Sequence, residues 1–348
     1  MVHTGAVVAG SFAAILAALV ASPALQREVV FLHRFNWPPV DFSAPSRDQG
    51  YAGLGGEFLS PLLGLYRGLN ATSERIDDGR LGAWLAHRDR SGCAGRPKRV
   101  ALYLHGNGEN RAWAPAVRKV RALASTRYCY DVVAFDYAGF GDSAGEPTEE
   151  GAYGDAMAAY EWARGRFPDR EVLLYGHSLG SVIALRLASR LCAARDRGGP
   201  KPPRALVIEG ALSGGLDVVL SFLPFLSPLR GLLEAQLAFE FDALGPAQKI
   251  PTTCVPRVFQ FHGARDMTIG VALGRKVAEA LAWGRVIRTG AANTVFVEVP
   301  GAGHESAFDD PALQAALEAF LRPGGDSWKH RGDLLEDAPL GTAGTTIG

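Results

Sequence analysis

Short runs of apolar residues recur along the middle of the chain and alternate with longer amphipathic stretches. Six of these runs have the length of buried strands, and they lie at 100–104, 132–135, 172–175, 206–208, 258–261 and 295–299. The amphipathic stretches predict helices over 112–124, 149–166, 179–191, 269–283 and 311–321. Because strands alternate with helices, we predict an α/β fold whose mostly parallel sheet is covered by helices on both faces.

A turn signal precedes this alternation. Asp77, Asp78 and Gly79 lie between two short apolar runs and predict a hairpin whose second strand covers 81–87. Residues 33–56 are rich in Pro, Gly and aromatic residues, and they predict a connector or a segment packed along the domain surface.

One long segment interrupts the alternation. Residues 213–250 separate two strands by more than a crossover helix needs, and they contain the apolar run 218–226. Segments of this length in compact domains are usually functional lids or mobile segments. We predict a small apolar cap over the site, in which Phe222, Phe225 and Leu226 bind substrate. An additional core helix is the alternative.

The amino-terminal end of the chain carries a long uncharged stretch. Residues 4–26 contain no charged side chain and are long enough to span a bilayer. We predict that residues 1–26 form a membrane anchor. A signal peptide cleaved near Ser22, Pro23 and Ala24 is the first alternative, and a buried helix is the second. Residues 27–322 are then the catalytic domain, and the polar residues 323–348 a disordered tail.

Composition and charge exclude several classes of protein. The 348 residues are 47% hydrophobic and 21% charged, which excludes a disordered, collagenous or coiled-coil protein. Because 36 basic residues balance 36 acidic ones, the total charge gives no reason to expect a nucleic-acid partner.

Asn70 begins the sequon Asn-Ala-Thr and is a predicted glycosylation site, which favours a catalytic domain in the lumen or outside the cell.

The cysteine and histidine patterns predict no metal. The four cysteines are widely spaced and form no CxxC pair, so they favour neither a zinc site nor a dense disulfide framework and leave one disulfide open. His304 and Glu305 are not continued by a second histidine into HExxH. We therefore expect neither a metal nor a cofactor.

A GxSxG motif follows the predicted strand at 172–175. Gly176, Ser178 and Gly180 lie between this strand and a predicted helix, where such a turn exposes a serine hydroxyl in a strained backbone conformation. The helix also points the positive end of its dipole at the serine. We therefore predict Ser178 as a nucleophile.

Serine nucleophiles of this type need a base and an orienting carboxylate, in the chain order Ser, acid, His. Asp266 follows the strand at 258–261, and His304 follows the strand at 295–299. We predict Asp266 as the acid and His304 as the general base, with Glu209 as the alternative acid. His177 and His262 are assigned to packing or turns.

An oxyanion hole requires two backbone amides. Leu179, the residue after the nucleophile, supplies the first, and we predict Asn107, in the glycine-rich turn after the strand at 100–104, as the second. A phosphate cradle is rejected for this turn because no GK[ST] follows. Residues 139–144 match the dinucleotide fingerprint GxGxxA, but Pro147 would interrupt the helix that the fingerprint requires.

The ordered motifs resemble those of the α/β-hydrolase superfamily. They are the HGN turn at 105–107, the loop 136–143, GHSLG at 176–180, HGxxD ending at Asp266, and GxGH ending at His304. Within the superfamily, the chain is similar to the alpha/beta-hydrolase domain-containing 12 type, a membrane-anchored group of lysophospholipases and monoacylglycerol lipases. Residues 27–32, 48–50 and 141–148 and the sequon carry this similarity, which covers 27–321.

The resemblance implies a single amino-terminal anchor, a lumenal or extracellular catalytic domain, and substrates such as lysophosphatidylserine or monoacylglycerols. It also implies the α/β-hydrolase fold and supports the roles of Ser178, Asp266 and His304. Ala138 departs from the group, which usually has arginine there. The absence of any cysteine before Cys93 counts against related depalmitoylases.

We therefore predict a serine esterase that cleaves single-acyl-chain lipids. Its predicted partners are a lipid ester substrate and, through the amino-terminal segment, a membrane. The alternatives are a peptidase or thioesterase of the same fold, a binding protein without turnover, and secretion after signal cleavage.

Overall fold

One eight-stranded sheet runs through the part of the chain that the computed structural model describes, residues 22–33, 41–45, 69–289 and 294–322. Its strands are β1 (Ala71–Ile76), β2 (Leu81–Ala86), β3 (Arg99–Leu104), β4 (Tyr130–Phe135), β5 (Glu171–His177), β6 (Ala205–Glu209), β7 (Arg257–Gly263) and β8 (Thr294–Val299). They lie in the order β1-β2-β4-β3-β5-β6-β7-β8. β1 and β2 form the predicted hairpin, β2 is antiparallel to β4, and all other neighbours are parallel. The predicted mostly parallel sheet is confirmed.

The helices follow the predicted alternation. They are α1 (Pro23–Phe31), α2 (Ala114–Ala124), α3 (Glu149–Arg166), α4 (Leu179–Arg195), α5 (Gly215–Phe222), α6 (Arg230–Glu234), α7 (Leu244–Gln248), α8 (Val271–Thr289) and α9 (Pro311–Leu321), with 3₁₀ turns at Pro224–Leu229 and Ala307–Asp309. Local sequence explains where several begin. The Thr148 side chain caps α3 by accepting from the Gly151 amide, and Asp310 caps α9 in the same way ahead of Pro311.

Both faces of the sheet are covered, because side chains alternate along each strand. In β3, Val100 and Leu102 belong to the core beneath α3, α4 and α8, whereas Ala101 and Tyr103 face the core beneath α2 and α9. The sheet therefore lies between two packed layers of helices, which fix the ends of the strands from which the loops extend.

The predicted cap divides into two parts. α5, the 3₁₀ turn and α6 pack around a small cluster of their own, formed by Leu216, Leu220, Leu226 and Leu233. From Ala243 onward the chain belongs to the main core, where Ala247 of α7 and Ile250 are fully buried. The segment thus contains a separate apolar cluster, which ends before Ala243, and an additional core helix. That the cluster, called the cap below, covers the site stays a prediction.

Helix α1 docks between the cap and the core. The Gln26 amide group donates to the Gln236 carbonyl at 3.0 Å, and its oxygen accepts from the Ala238 amide at 2.7 Å. At the other end of α1, the Phe31 carbonyl accepts from the Gly108 amide at 3.2 Å. α1 therefore ties the cap to the glycine-rich turn after β3.

Most of the predicted anchor lies outside the described residues. Of the segment 1–26, only residues 22–26 are described. Ser22 is the N-cap residue of α1, and residues 23–26 form its first turn. None of the helices within the described ranges combines the length and apolar character needed to cross a membrane. The predicted tail, 323–348, and part of the connector also lie outside the described residues.

Two disulfides pair all four cysteines. Cys93 is bonded to Cys129, and Cys192 to Cys254, across sequence separations of 36 and 62 residues. The sequence favoured no dense disulfide framework and left one disulfide open, whereas the structure has two. Spacing along the chain could not show the pairs, since Cys192 and Cys254, for example, meet only when α4 packs beside the segment that precedes β7.

Candidate active site

The predicted site residues gather at the carboxyl edge of the sheet. Parallel strands end at a common edge, and the loops that follow them can share one site there. The loop after β3 carries Asn107, the turn after β5 carries Ser178, and the loops after β7 and β8 carry Asp266 and His304.

Ser178 occupies the sharp turn between β5 and α4. Its backbone has a φ of 52° and a ψ of −118°, a conformation that side chains rarely adopt. Its amide donates to the Glu209 carbonyl at 2.9 Å. A Cβ at Gly176 would overlap the Gly180 carbonyl, and one at Gly180 would overlap the Leu104 carbonyl. Both glycines are therefore required for the turn to pack against β3.

His304 and Asp266 are in direct contact. The Nδ1 atom of His304 lies 2.6 Å from Oδ2 of Asp266. The other carboxylate oxygen accepts from the amides of Thr268 and Ile269 at 2.9 and 2.8 Å. Burial raises the pKa of the Asp266 carboxyl, but hydrogen bonds from His262 and His304 outweigh burial and hold the pKa well below its ordinary value. Asp266 is therefore an ionised carboxylate, and its contacts hold it against the imidazole of His304.

Glu209, the alternative acid, faces other partners. Its Oε2 accepts from the Tyr175 hydroxyl at 2.7 Å and lies 3.0 Å from the Lys119 ammonium. The geometry thus favours Asp266 over Glu209 as the partner of His304. His262, which we assigned to packing, proves to lie 3.2 Å from Oδ2 of Asp266.

Ser178 and His304 lie in adjacent loops. The His304 ring is 5.0 Å from that of His177, the residue before the serine. Among the described residues, no hydrogen bond joins the Ser178 hydroxyl to His304. Such bonds often tighten only when substrate binds.

The two predicted oxyanion amides belong to segments that touch. Leu179 is the first residue of α4, so its amide has no acceptor within the helix and lies at the positive end of the helix dipole. The turn that carries Asn107 packs against the start of α4, because a Cβ at Gly180 would also meet the His105 carbonyl. The roles of both amides stay predictions.

A buried cluster of charges, which sequence reasoning missed, joins these loops. Oε2 of Glu109 accepts from the Gly106 amide at 3.0 Å, and its Oε1 lies 3.1 Å from Nδ1 of His177. The Nε2 atom of His177 lies 3.8 Å from Glu305, which is 3.6 Å from Lys119. The sequence did contain one indication of this cluster: His177 directly precedes Ser178, and Glu305 directly follows His304.

The cluster holds His177 in its charged form. Burial and the Lys119 ammonium lower the pKa of His177, whereas the carboxylates of Glu109 and Glu209 raise it more strongly, to about 9. Burial raises the pKa of Glu109, but His177 outweighs that effect and holds it below its ordinary value. The Glu109 carboxylate therefore clamps the turn after β3 to the residue that precedes Ser178.

Three side chains at this edge also offer ligands for a metal ion. One ligand atom from each of His177, His304 and Glu305 lies within 4.8 Å of the other two. The sequence did not predict this group, because its members come from two separate loops.

The loop after β4 is held by a buried ion pair. The Arg111 amide donates to Asp136 at 2.6 Å, and its guanidinium contacts both Asp136 and Asp142. No helix starts in 139–144, since α3 begins only at Glu149. The loop is therefore not the strand-turn-helix unit of a dinucleotide site, as the sequence predicted.

The three predicted substrate-binding residues differ in exposure. Phe222 and Phe225 are 59% and 64% exposed, whereas Leu226 is only 6% exposed and packs inside the cap. Leu226 therefore serves the packing of the cap in this structure. The substrate contacts of Phe222 and Phe225 stay predictions. Asn70, the predicted glycosylation site, is exposed immediately before β1.

A parallel sheet with a strained serine turn and a histidine–carboxylate pair at its carboxyl edge defines a class of protein, the serine hydrolases of the α/β fold. The chain belongs to the Alpha/beta hydrolase family, whose sequence profile matches residues 101–317. This membership confirms the predicted fold, superfamily and enzyme class.

Individual relatives agree with the resemblance. The lysophosphatidylserine lipase ABHD12 of Danio rerio is 29% identical over 326 residues, which cover 90% of this chain and 81% of the relative. The protein ABHD12B of Homo sapiens is 30% identical over 232 residues, with coverage of 64% and 60%. A solved alpha-beta hydrolase from Vibrio vulnificus has a TM-score of 0.54 at 17% identity, with coverage of 85% and 94%, and shows the shared fold.

Proposed function

We propose that the protein hydrolyses carboxylic esters of single-acyl-chain lipids, of the lysophospholipid or monoacylglycerol type, through Ser178, Asp266 and His304. The observation that carries this proposal is the 2.6 Å contact between His304 and Asp266 beside the strained turn of Ser178. An imidazole that is oriented by an ionised carboxylate can accept a proton from a neighbouring hydroxyl.

The proposed mechanism has two halves. In the first, the Ser178 hydroxyl attacks the ester carbonyl, His304 takes its proton and passes it to the leaving alcohol, and an acyl ester forms on Ser178. Asp266 stabilises the imidazolium, and the amides of Leu179 and Asn107 bind the oxyanion. In the second half, His304 activates a water molecule, which releases the fatty acid and restores the serine.

The substrate class rests on the cap and the relatives. The cap presents the exposed Phe222 and Phe225, which can contact an acyl chain without leaving a polar group unpaired. A lysophosphatidylserine lipase covers most of the chain in sequence comparison. Both observations support a lipid ester over a peptide, which would require polar groups to recognise its amide backbone.

We further propose an amino-terminal membrane anchor in residues 1–26 and a catalytic domain in the endoplasmic reticulum lumen or outside the cell. Two disulfides support an oxidising compartment, where such bonds persist. The exposed Asn70 supports glycosylation there. Secretion after cleavage of residues 1–26 is the alternative, and amino-terminal sequencing of the mature protein distinguishes the two.

Labelling with a fluorophosphonate tests the proposed nucleophile. These reagents phosphonylate a serine that a neighbouring base activates, so we expect one adduct on Ser178 by mass spectrometry and none in Ser178→Ala. Ser181→Ala is the matched control, since Ser181 lies one turn into α4 and is fully buried. Absence of labelling in the folded protein would favour a binding role without turnover.

A further inference from the structure

His177 and His304 are oriented in the same way. The Nδ1 atom of His304 lies 2.6 Å from Asp266, and that of His177 lies 3.1 Å from Glu109. A carboxylate lies beside Nδ1 in each ring, as a hydrogen-bond partner of His304 and as a close ionic contact of His177, and Nε2 is left for another partner. Histidines that bind metals are usually backed by a carboxylate in this manner, because it fixes the ring and makes the free nitrogen a stronger ligand.

Glu305 adds a third ligand. Its Oε2 lies 3.8 Å from Nε2 of His177, and both atoms are buried without a hydrogen-bond partner among the described residues. The ligand atoms of His177, His304 and Glu305 lie within 4.8 Å of one another. A tetrahedral zinc with bonds of about 2.0–2.1 Å needs separations of roughly 3.3 Å, so small side-chain rotations would complete the geometry.

The charges of the cluster also favour a divalent ion. Glu109, Glu209 and Glu305 bring three carboxylates together, and Lys119 supplies one ammonium group, which lies closer to Glu209 than to Glu305. A divalent cation would offset the remaining negative charge of these carboxylates.

We propose that His177, His304 and Glu305 form a site for a divalent transition-metal ion of the zinc type, and that metal binding inhibits the enzyme. The metal takes the nitrogen of His304 that would accept the Ser178 proton, so the serine stays unactivated. Glu305, whose side chain is 37% exposed, provides the route of entry. The inhibitory half of the proposal rests on the proposed role of His304, and the binding half does not.

The ligand set defines which ions fit. Two imidazoles and one carboxylate suit zinc and cobalt, with water as a fourth ligand. Magnesium and calcium prefer oxygen ligands and six or more of them, so they should not compete at millimolar concentrations.

The binding test uses the full chain carrying Ser178→Ala, so that it is independent of catalysis. After removal of metals with a chelator, Zn²⁺ is titrated by calorimetry, and Co²⁺ is followed by the visible absorption of its tetrahedral complexes. We expect one ion per chain, with an affinity that falls at least about tenfold when Glu305→Gln is added. Glu318→Gln, a carboxylate on α9 that bonds Arg322, should leave the affinity unchanged.

His177→Gln provides a second variant and should also weaken binding at least about tenfold. Circular dichroism confirms that each variant is folded before its affinity is compared. Zinc affinity that is the same in Glu305→Gln, His177→Gln and the parent chain would overturn the site, as would the absence of any binding.

The inhibition test follows the rate of fluorophosphonate labelling at Ser178 and the hydrolysis of a short-chain soluble ester. We expect Zn²⁺, but not Mg²⁺, to slow both reactions and a chelator to restore them. Glu305→Gln should need at least about tenfold more Zn²⁺, relative to its own metal-free rate. Zinc that binds without slowing either reaction contradicts the inhibitory role. A chain that binds zinc but never reacts contradicts the proposed hydrolase mechanism instead.

Discussion

Asp266 and Glu209 show how contacts, at the scale of single residues, separate two acids that the sequence treats alike. Glu209 is the last residue of β6, Asp266 follows β7, and each is buried, but only Asp266 touches His304. Glu209 instead holds the Tyr175 hydroxyl and the Lys119 ammonium. The choice depends on side-chain contacts between distant segments, and chain order alone could rank the two acids but not decide between them.

Replacement of each acid by its amide tests this choice. We expect Asp266→Asn to lower kcat by about 10⁴-fold, because the amide no longer fixes the imidazole tautomer or stabilises its charge. Glu209→Gln should destabilise the fold by leaving Lys119 less well paired, yet retain kcat per folded molecule. Steady-state kinetics on a soluble ester, with folded protein quantified by circular dichroism, gives both values. The reverse ranking would contradict the role of Asp266.

The residues of the site that the sequence predicted lie in local motifs, whereas the residues that it missed are brought together by contacts between distant loops. Ser178, Asp266 and His304 each follow a strand in a recognisable motif, so local pattern was enough to predict them. His177, Glu109 and Glu305 gain their environment only when three loops meet at the sheet edge. Pairwise contact of this kind leaves no periodic signal in one sequence.

At the scale of elements, α1 shows the same limit. Residues up to 26 belong to the predicted anchor, whereas Gln26 is hydrogen-bonded to the backbone of the cap. An uncharged run predicts burial, but it does not show whether lipid or protein provides the apolar surroundings. Strands such as β3 were predicted well, because a short apolar run in an alternating α/β chain usually forms a buried strand.

The contact of α1 with the cap can be tested by Gln26→Ala. This change removes two hydrogen bonds to the backbone of the cap and leaves buried groups unpaired, at a cost of about 1–3 kcal/mol. We expect faster limited proteolysis within 223–238. Gln236→Ala is the matched control, since only the Gln236 backbone takes part in the contact. Equal cleavage rates in the two variants would show that α1 does not restrain the cap.

The disulfide between Cys192 and Cys254 joins α4 to the segment before β7. Because it closes a loop across 62 residues, its loss should lower the free energy of unfolding by about 2–4 kcal/mol. Urea unfolding of the double variant Cys192→Ser with Cys254→Ser measures this change. An unaltered midpoint, with the Cys93 to Cys129 bond intact by mass spectrometry, would show that the bond does not contribute.

At the scale of the whole molecule, the cap adds exposed apolar surface to an α/β-hydrolase fold. The similarity to the Vibrio vulnificus structure, at 17% identity, shows a shared fold and does not determine a substrate. Substrate choice is therefore expected to depend on the cap. The sequence predicted that a cap exists from the length of the insertion, but it could not show that Leu226 faces inward.

Exposed aromatics on the cap provide a test of substrate choice. We expect the double variant Phe222→Ser with Phe225→Ser to lower kcat/KM on a long-chain lysophospholipid by about tenfold or more, since each ring gives up apolar contact with the chain. Hydrolysis of a soluble short-chain ester should change less than twofold. Leu232→Ser, an exposed apolar residue on α6, controls for general loss of apolar surface. Equal losses on both substrates would argue against acyl-chain contact.

The most direct test of the proposed function is fatty-acid release by the purified full chain from lysophosphatidylserine, other lysophospholipids and monoacylglycerol, beside Ser178→Ala. We expect release from at least one of these lipids, with a rate at least about 10³-fold lower in the variant because the acyl acceptor is gone. Release that persists in Ser178→Ala, or no release by a wild-type chain shown to be folded, would contradict a serine lipase.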